Sequence, residues 1–350
     1  MGGGVVELIN KCIRSGRFAE VGASIEIVKI CVRSKEKPRD FEINAHTTSL
    51  VTNYDDILSD TSINCVIELM GGITSAKDVV FRAIAAGKHV VTANKALIAT
   101  FLPELQLALK ENPSVSFNYE AAVCGGIPII HTLQTDFLSD RISKVMGIMN
   151  GTTNFMLCKM EDEGAEYEAA LSEAQALGYA EADPTADVEG HDVQAKIALL
   201  TKLAFGKTVP FETIPTTGIS KIGKVDFEYA RSLKSTIKLL GTASSNADGS
   251  LAVFVSPTIV PLSSPLSSAK GPGNMVLINS DNLTCSTFAG PGAGRFPTAN
   301  SVLNDLIRLS LVRKTLLNAF IFMLCLAIII IYRFFNTIHA VNIAIFFSFS

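Results

Sequence analysis

The chain has 350 residues, enough for two domains and a sizeable buried core. A formal net charge of −3, with 18% charged residues and no basic cluster interleaved with aromatics, excludes a nucleic-acid-binding surface. The seven cysteines are scattered and lack Cys-x-x-Cys spacing, so a zinc framework and a disulfide scaffold are both excluded and the thiols read as reduced and mostly buried.

The first residues, Met1-Gly2-Gly3-Gly4-Val5-Val6, read as a helix that starts directly from a glycine turn, with no strand before it. Ile25 to Val32 alternates and is β-branched, which predicts a strand with Arg33-Ser34-Lys35 at its C-terminal end. In a dinucleotide fold an acid at that position would bind the ribose 2′-OH of NAD. Arg33 with Lys35 suits the 2′-phosphate of NADP instead, and a solvated basic turn is the plainer alternative. Asp55 to Leu58 opens a short helix, and Cys65 to Met70 is a buried strand ending in Gly71-Gly72, where glycines let a cofactor approach. A helix over Ser75 to Ala86 is capped by Gly87, and the strand His89 to Ala93 leads into Asn94-Lys95. After a helix over Pro103 to Lys110, the strand Val115 to Glu120 runs into Ala121-Ala122-Val123-Cys124-Gly125-Gly126-Ile127. Repeated strand-helix units predict an α/β fold with a parallel, doubly wound sheet, and functional groups such as Lys95 at the C-terminal ends of its strands.

A further strand, Val145 to Met149, enters Asn150-Gly151-Thr152-Thr153-Asn154, a turn able to cap the helix that follows. Leu177-Gly178-Tyr179 closes a helix, and Glu181, Asp183, Asp187 and Glu189 then crowd acid into one loop kept extended by Pro184. From His191 the apolar Val193, Ile197, Leu200 and Leu203 recur at helical spacing. They leave Asp192 and Lys196 together on another face, four residues apart. An isolated pair of this kind is a surface ion pair worth a few tenths of a kcal/mol; the acidic loop beside it points to chemistry. Ala252 to Pro257, Asn274 to Asp281 and Cys285 to Ala289 read as antiparallel strands of an open sheet, and a Gly-rich run through Gly294 leads into a helix ending near Leu309.

Gly-Tyr-x-Glu-x-Asp-Pro followed by Asp-Val-x-Gly-x-Asp-Val-x-x-Lys, with the segments around it, resembles homoserine dehydrogenase of the bacterial type from about Gly2 to about Leu309. The resemblance implies an N-terminally truncated Rossmann-like doubly wound domain over residues 1–128, in which Gly2 matches the last glycine of the phosphate turn. An α+β substrate and dimerisation domain with an open sheet follows over 129–290, and 291–310 return to the nucleotide domain. The implied catalytic residues are Lys196 as acid/base with a lowered pKa, Asp192 as its partner and Lys95 near the reacting oxygen. Glu181, Asp187, Tyr179, Asn150 and Thr152 would bind L-homoserine or L-aspartate 4-semialdehyde. Gly2, Arg33, Gly71, Ala93, Lys95 and Gly294 would line the cofactor site, for NADP with NAD as the second choice. Main-chain carbonyls at Glu120, Val123, Gly125 and Ile127 would hold a monovalent cation, sodium for preference. Implied with these are a role in threonine, methionine and isoleucine biosynthesis, a homodimer, and a cytoplasmic catalytic domain.

Two other readings stand beside this one: a chain of the same fold with impaired cofactor binding and little activity, and a dehydrogenase acting on a different semialdehyde. The apolar run Leu316 to Tyr332, flanked by Arg313-Lys314 and Arg333, is a candidate membrane tether. As a helix it would reach about 25 Å, slightly short of a hydrocarbon core of about 30 Å. Residues 311–350 are expected to add nothing to the catalytic fold.

Overall fold

The computed structural model describes residues 1–311, so the expected tether at Leu316 to Tyr332 lies outside the described residues. Helix α1 (Gly2–Arg14) begins where the glycine turn predicted, with Lys11 and Arg14 in its last turn, where cations complement the helix dipole. It buries Val5, Val6 and Ile9 and is followed by the short α2 (Arg17–Glu20). Strands β1 (Lys29–Cys31) and β2 (Ser49–Val51) pair in parallel. The expected Ile25 to Val32 strand is thus cut to three residues. Ile25 and Ile27 pack against the α1 core, but the ladder is only as long as its three-residue partner.

After α3 (Asp55–Leu58), the chain alternates β3 (Cys65–Glu68), α4 (Thr74–Ala85), β4 (His89–Thr92), α5 (Lys95–Thr100), α6 (Leu102–Glu111) and β5 (Phe117–Asn118). β3, β4 and β5 are parallel neighbours in that order. The expected parallel sheet is present as two pieces, β1-β2 and β3-β4-β5, which share no ladder; Ile25 and Ile27, just before β1, pack into the same apolar core as Ile67 of β3 and Val91 of β4. β5 is shorter than predicted because the Glu120 amide donates to the Asp305 carboxylate, 2.9 Å away, and the chain turns into a 3₁₀ segment there.

The second unit runs through α7 (Ile129–Thr135), β6 (Ile142–Ile148), α8 (Gly151–Glu163), α9 (Tyr167–Ala176), α10 (Thr185–Val188), α11 (His191–Phe205) and α12 (Lys224–Ser232). It ends in β7 (Ser235–Ser245), β8 (Leu251–Pro261), β9 (Gly273–Ser280) and β10 (Thr284–Pro291). All five strands are antiparallel, in the order β10-β9-β6-β7-β8, an open sheet with two edges. β7 is absent from the sequence-based expectation, and its burial explains why: Ser235 through Ala243 are all buried, so both faces are covered and the alternation that marks a half-exposed strand is lost. Helix α11 lies directly on this strand at Gly241, where a Cβ would come within 2.8 Å of Val193 Cγ1 and 3.2 Å of Ile197 Cβ.

Residues 295–311 form a last helix, α13, whose Ala299, Val302, Leu303 and Leu306 return to pack with Val5 and Ile9 of α1. No helix among the described residues is long and apolar enough to cross a membrane. The cysteines need a correction. Cys124 and Cys158 are buried, but Cys31 and Cys285 are exposed and Cys12 and Cys65 are intermediate, because β1 and β10 are thinly covered.

Candidate active site

Helix α11 is buried along Asp192 to Thr201, which places its acid and amine in the interior and not on a solvated face. Lys196 Nζ donates to Asp192 Oδ2 and to the Met149 carbonyl, both at 2.6 Å. The other Asp192 oxygen faces Lys95 Nζ at 3.0 Å, so a single carboxylate is clamped between two ammonium groups. The Asn150 amide donates to Asp192 at 2.9 Å and to Asp187 at 2.7 Å, while its carbonyl oxygen caps α8 at the Thr153 amide. Thr152 Oγ1 reaches the Tyr179 carbonyl at 2.6 Å and Asp187 at 3.3 Å. The Asn-Gly-Thr-Thr-Asn turn therefore both starts a helix and orients two carboxylates.

Burial alone would raise the pKa of Asp192, but Lys196 and Lys95 outweigh it and hold the carboxyl well below the usual range. Asp187 goes the other way: burial and the Asp192 charge raise it, against the Asn150 hydrogen bond. Lys196 is raised as well, since burial is overcome by the Asp192 charge. The expected lowered amine pKa is thereby corrected: the ionised carboxylate at 2.6 Å holds Lys196 as the ammonium. The neighbouring Cys124 thiol is pushed up to about 11, chiefly by burial, and is inert.

Glu181 and Tyr179 sit differently from the other predicted substrate residues. The Glu181 side chain is exposed and its carbonyl accepts from Gln175 at 3.1 Å, apart from the Asp187–Asp192–Lys196 network. Tyr179 enters that network only through its carbonyl, its ring packing on Phe155 with centroids 5.0 Å apart.

The nucleotide-side crevice lies at the C-terminal ends of β3 and β4. Gly71 and Gly72 are exposed with φ of 75° and 67°, a left-handed double turn that L side chains rarely adopt. The Asn94 amide donates to the Gly72 carbonyl at 2.7 Å while its oxygen caps α5 at Leu97, which fixes Ala93 and Lys95 against this turn. Glu68, buried and not foreseen, underlies the arrangement: it accepts from the Met70 amide at 2.8 Å and from Thr92 Oγ1 at 2.7 Å, and Thr92 accepts from the Asn94 amide. A lone acid inside the apolar run Cys-Val-Ile-Glu-Leu-Met was its sequence signal, because such an acid must find partners. Gly2 lies at the exposed start of α1. Arg33 is exposed after β1, in a turn held by Arg39, whose guanidinium donates to the carbonyls of Ser34, Lys35 and Lys37. Gly294 precedes α13 with φ 122°, and Arg295 beside it pairs with Glu7 at 2.9 Å and with Asp40.

Between the two units the Glu120 to Ile127 loop carries successive left-handed residues, Cys124 (φ 55°) and Gly125 (φ 50°). The Gly125 carbonyl accepts from Ser301 Oγ at 2.7 Å, and that of Ile127 from the Ile129 amide at 2.9 Å, which leaves each a second lone pair. No group of three or more His, Cys, Asp or Glu suited to a metal occurs among the described residues, so any ion here would rest on carbonyl oxygens, a donor set for a hard cation. The Glu120 carboxylate points elsewhere, to the amides of Ile130 and His131 at 2.8 Å and to Arg308 at 3.5 Å. Beside it Asp305 is raised to about 7 by burial and by the Glu120 charge. A cavity of about 170 Å³ opens here, lined by Tyr119, His131, Gln134 and Arg308 among others and by none of Lys95, Asp187, Asp192 or Lys196.

Two family models cover nearly the whole described chain: homoserine dehydrogenase NAD-binding domain over residues 1–117 and homoserine dehydrogenase over residues 128–307. The homoserine dehydrogenase of Bacillus subtilis is 42% identical over 308 residues, which cover 88% of this chain and 70% of that one. That of Lactococcus lactis is 44% identical, over 81% of this chain and 66% of its own length. The crystal structure of a homoserine dehydrogenase from Thiobacillus denitrificans superposes with a TM-score of 0.84 at 39% identity, covering 90% of this chain and 72% of that one. A hyperthermophilic archaeal homoserine dehydrogenase in complex with NADPH aligns with a TM-score of 0.63 at 27% identity, over 75% of each chain. The chain belongs to the homoserine dehydrogenase family of NAD(P)-dependent oxidoreductases acting on a CH–OH group.

Proposed function

We propose that the protein interconverts L-homoserine and L-aspartate 4-semialdehyde with a preference for NADP, in the branch toward threonine, methionine and isoleucine. The observation that carries this reading is the buried Lys196 ammonium, held by Asp192 and the Met149 carbonyl beside Lys95. The nicotinamide, when bound, supplies or removes the hydride. In aldehyde reduction Lys196 gives its proton to the oxygen that gains negative charge, Lys95 polarises that oxygen, and Asp192 keeps both amines in place. Oxidation of the alcohol reverses the transfer and needs Lys196 deprotonated first. A zwitterionic amino-acid substrate needs a countercharge for its ammonium; Asp187 stands in the network for this, with the exposed Glu181 on the loop that precedes it in the chain. Asn150, Thr152 and the Tyr179 carbonyl hold that loop to α8.

Support for NADP comes from the exposed Arg33 and Lys35, in a turn whose carbonyls Arg39 holds, and from the NADPH complex of the archaeal neighbour. Gly2, Gly71, Ala93 and Gly294 would line the cofactor. The left-handed pair Cys124-Gly125 supports a sodium-type ion held by the carbonyls of Glu120, Val123, Gly125 and Ile127. A second copy of the chain is supported by the open sheet, whose edge strand β8 leaves Phe254 and Ile259 exposed. A cytoplasmic setting for the catalytic part follows from the same reading.

The test is homoserine-dependent reduction of NADP and NAD, followed by nicotinamide absorbance. Turnover with homoserine, faster with NADP and absent with serine, is expected; no turnover with either cofactor, or equal rates with serine, would overturn the reading.

A further inference from the structure

Away from the site, two lysines among the described residues are buried: Lys88, which donates to the Asp60 and Ile63 carbonyls, and the more deeply placed Lys238. Lys238, at the centre of β7, is 1% exposed and is among the largest fully buried side chains of the described residues. Its three N–H donors go to Asn154 Oδ1 at 3.0 Å, to the Ala269 carbonyl at 2.9 Å and to Cys158 Sγ at 3.2 Å. Among the described residues no carboxylate lies within ion-pair distance of it, so the buried charge rests on neutral acceptors and one sulfur. Such a charge is normally paired or given up. Cys158, on α8, is 6% exposed and has Asn154 Oδ1 and the Ala269 carbonyl only at 3.9 and 3.8 Å, so the amine is the nearest of its three hydrogen-bond partners. The two residues are 80 positions apart and on different elements, facing each other across the packed interface between helix and sheet.

We propose that Lys238 and Cys158 form an oxidant-sensitive modification site, at which a hydroperoxide joins the amine nitrogen to the cysteine sulfur through one oxygen. Hydrogen peroxide first transfers an oxygen to the thiol, giving the sulfenic acid and one water. The lysine nitrogen, 3.2 Å from the sulfur, then couples to the sulfenic oxygen. The ammonium first gives one proton to solvent, which frees the nitrogen lone pair; an N–O bond then forms, the neutral amine and the S–OH each lose a hydrogen, and a second peroxide is reduced to two waters. The product is Cys–S–O–NH–Lys, a four-electron oxidation in all. Two equivalents of a dithiol reverse it, restoring thiol and amine and releasing the oxygen as water. In open solvent a sulfenic acid goes on to other thiols or to higher oxides; a buried sulfur with the Lys238 amine at 3.2 Å favours the bridge. The bridge would tie α8, which Asn150 caps and which carries Thr152, to the sheet it packs on.

The experiment uses the whole chain exposed to a few equivalents of hydrogen peroxide, then digested without reductant and read by mass spectrometry. A peptide pair joining Cys158 to Lys238 with a net gain of one oxygen and loss of two hydrogens is expected. It should disappear on dithiothreitol treatment and never arise in Cys158→Ser. The exposed Cys31 and Cys285 serve as internal reporters of oxidation. Oxidised Cys31 and Cys285 with Cys158 unchanged, or with Cys158 recovered only as sulfinic or sulfonic acid or in a disulfide, would overturn the proposal. Because the readout is covalent mass on the native chain, it does not depend on the substrate or cofactor being those proposed above.

Discussion

Two buried carboxylates in this protein meet opposite fates. Asp192 on α11 and Asp305 on α13 are comparably buried, at 9% and 4% exposure, and desolvation pushes both toward the neutral form. Asp192 lies between Lys196 at 2.6 Å and Lys95 at 3.0 Å and stays ionised. Asp305 lies against the Glu120 main chain with the Glu120 carboxylate close by, and the nearby Arg308 is drawn to Glu120 at 3.5 Å, so Asp305 rises to about 7. Burial sets how strongly a site shifts, and the neighbouring charges set in which direction. The first cluster, to which we assign the proton transfer, keeps its carboxylate charged between two ammonium groups; the second, at the Glu120 main chain, takes up a proton below about pH 7.

The largest effect is expected where the charge balance of α11 is broken. Lys196→Met should lower turnover by roughly two to four orders of magnitude through loss of the acid/base group. Asp192 keeps Lys95 and Asn150, so the variant should fold, with a lower unfolding temperature than the parent. Unchanged turnover would end the assignment. A sharper version leaves the amine and removes its partner's charge. Asp192 raises Lys196, so homoserine oxidation in the parent should keep climbing to alkaline pH as the ammonium is lost, and Asp192→Asn should move that rise to lower pH. An unmoved pH profile would separate Asp192 from the proton transfer.

Asp305 offers the next largest effect, in stability. Its folded pKa is about 7 against 3.8 for an ordinary aspartate, so the folded state holds a proton that the unfolded chain releases. Stability contributed by this group is therefore fully present below about pH 4 and is lost as pH rises to about 7, by at most about 4 kcal/mol. Asp305→Asn keeps an oxygen for the Glu120 amide and removes the charge. The variant should match the parent near pH 4 and melt higher than it at pH 8. Parallel melting curves across that range would show that Asp305 is not the proton-binding group.

How far each cluster could be read from sequence follows from the same physics. The Asp192–Lys196 pair was legible because both partners lie on one helix, four residues apart, beside a loop of acids. Asp187, Asn150 and Thr152 came with it, and the structure joins them by direct hydrogen bonds. What was not legible was depth: α11 reads as amphipathic, yet its polar positions are as buried as its apolar ones, because α5 brings Lys95 over the face that looked solvated. Asp305 was invisible since its partner, Glu120, is 185 residues away, and no local pattern encodes that contact. Glu68 left only the trace of one acid in an apolar strand. β7 was lost for a related reason, since a strand covered on both faces has no alternation to read.

The smallest of the expected effects lies on the surface, where charge is screened and the energies of the buried clusters do not apply. Arg33 is exposed at the end of β1, and the turn that carries it is held by Arg39, so changing Arg33 should leave the turn and the fold intact. Its one proposed task is to meet the 2′-phosphate of NADP with a guanidinium, a charge-assisted contact worth about 1.5–3 kcal/mol when fully formed. Exposure argues for the lower end, about tenfold in the Michaelis constant. Arg33→Asp should raise that constant for NADP by at least this factor, since an acid repels the phosphate, and should leave turnover at saturation nearly unchanged. NAD lacks the phosphate and offers a ribose hydroxyl to the new carboxylate, so its constant should fall or stay the same. An equal loss with both cofactors would mean that Arg33 supports the turn after all, and no change with either would place the phosphate contact on another residue.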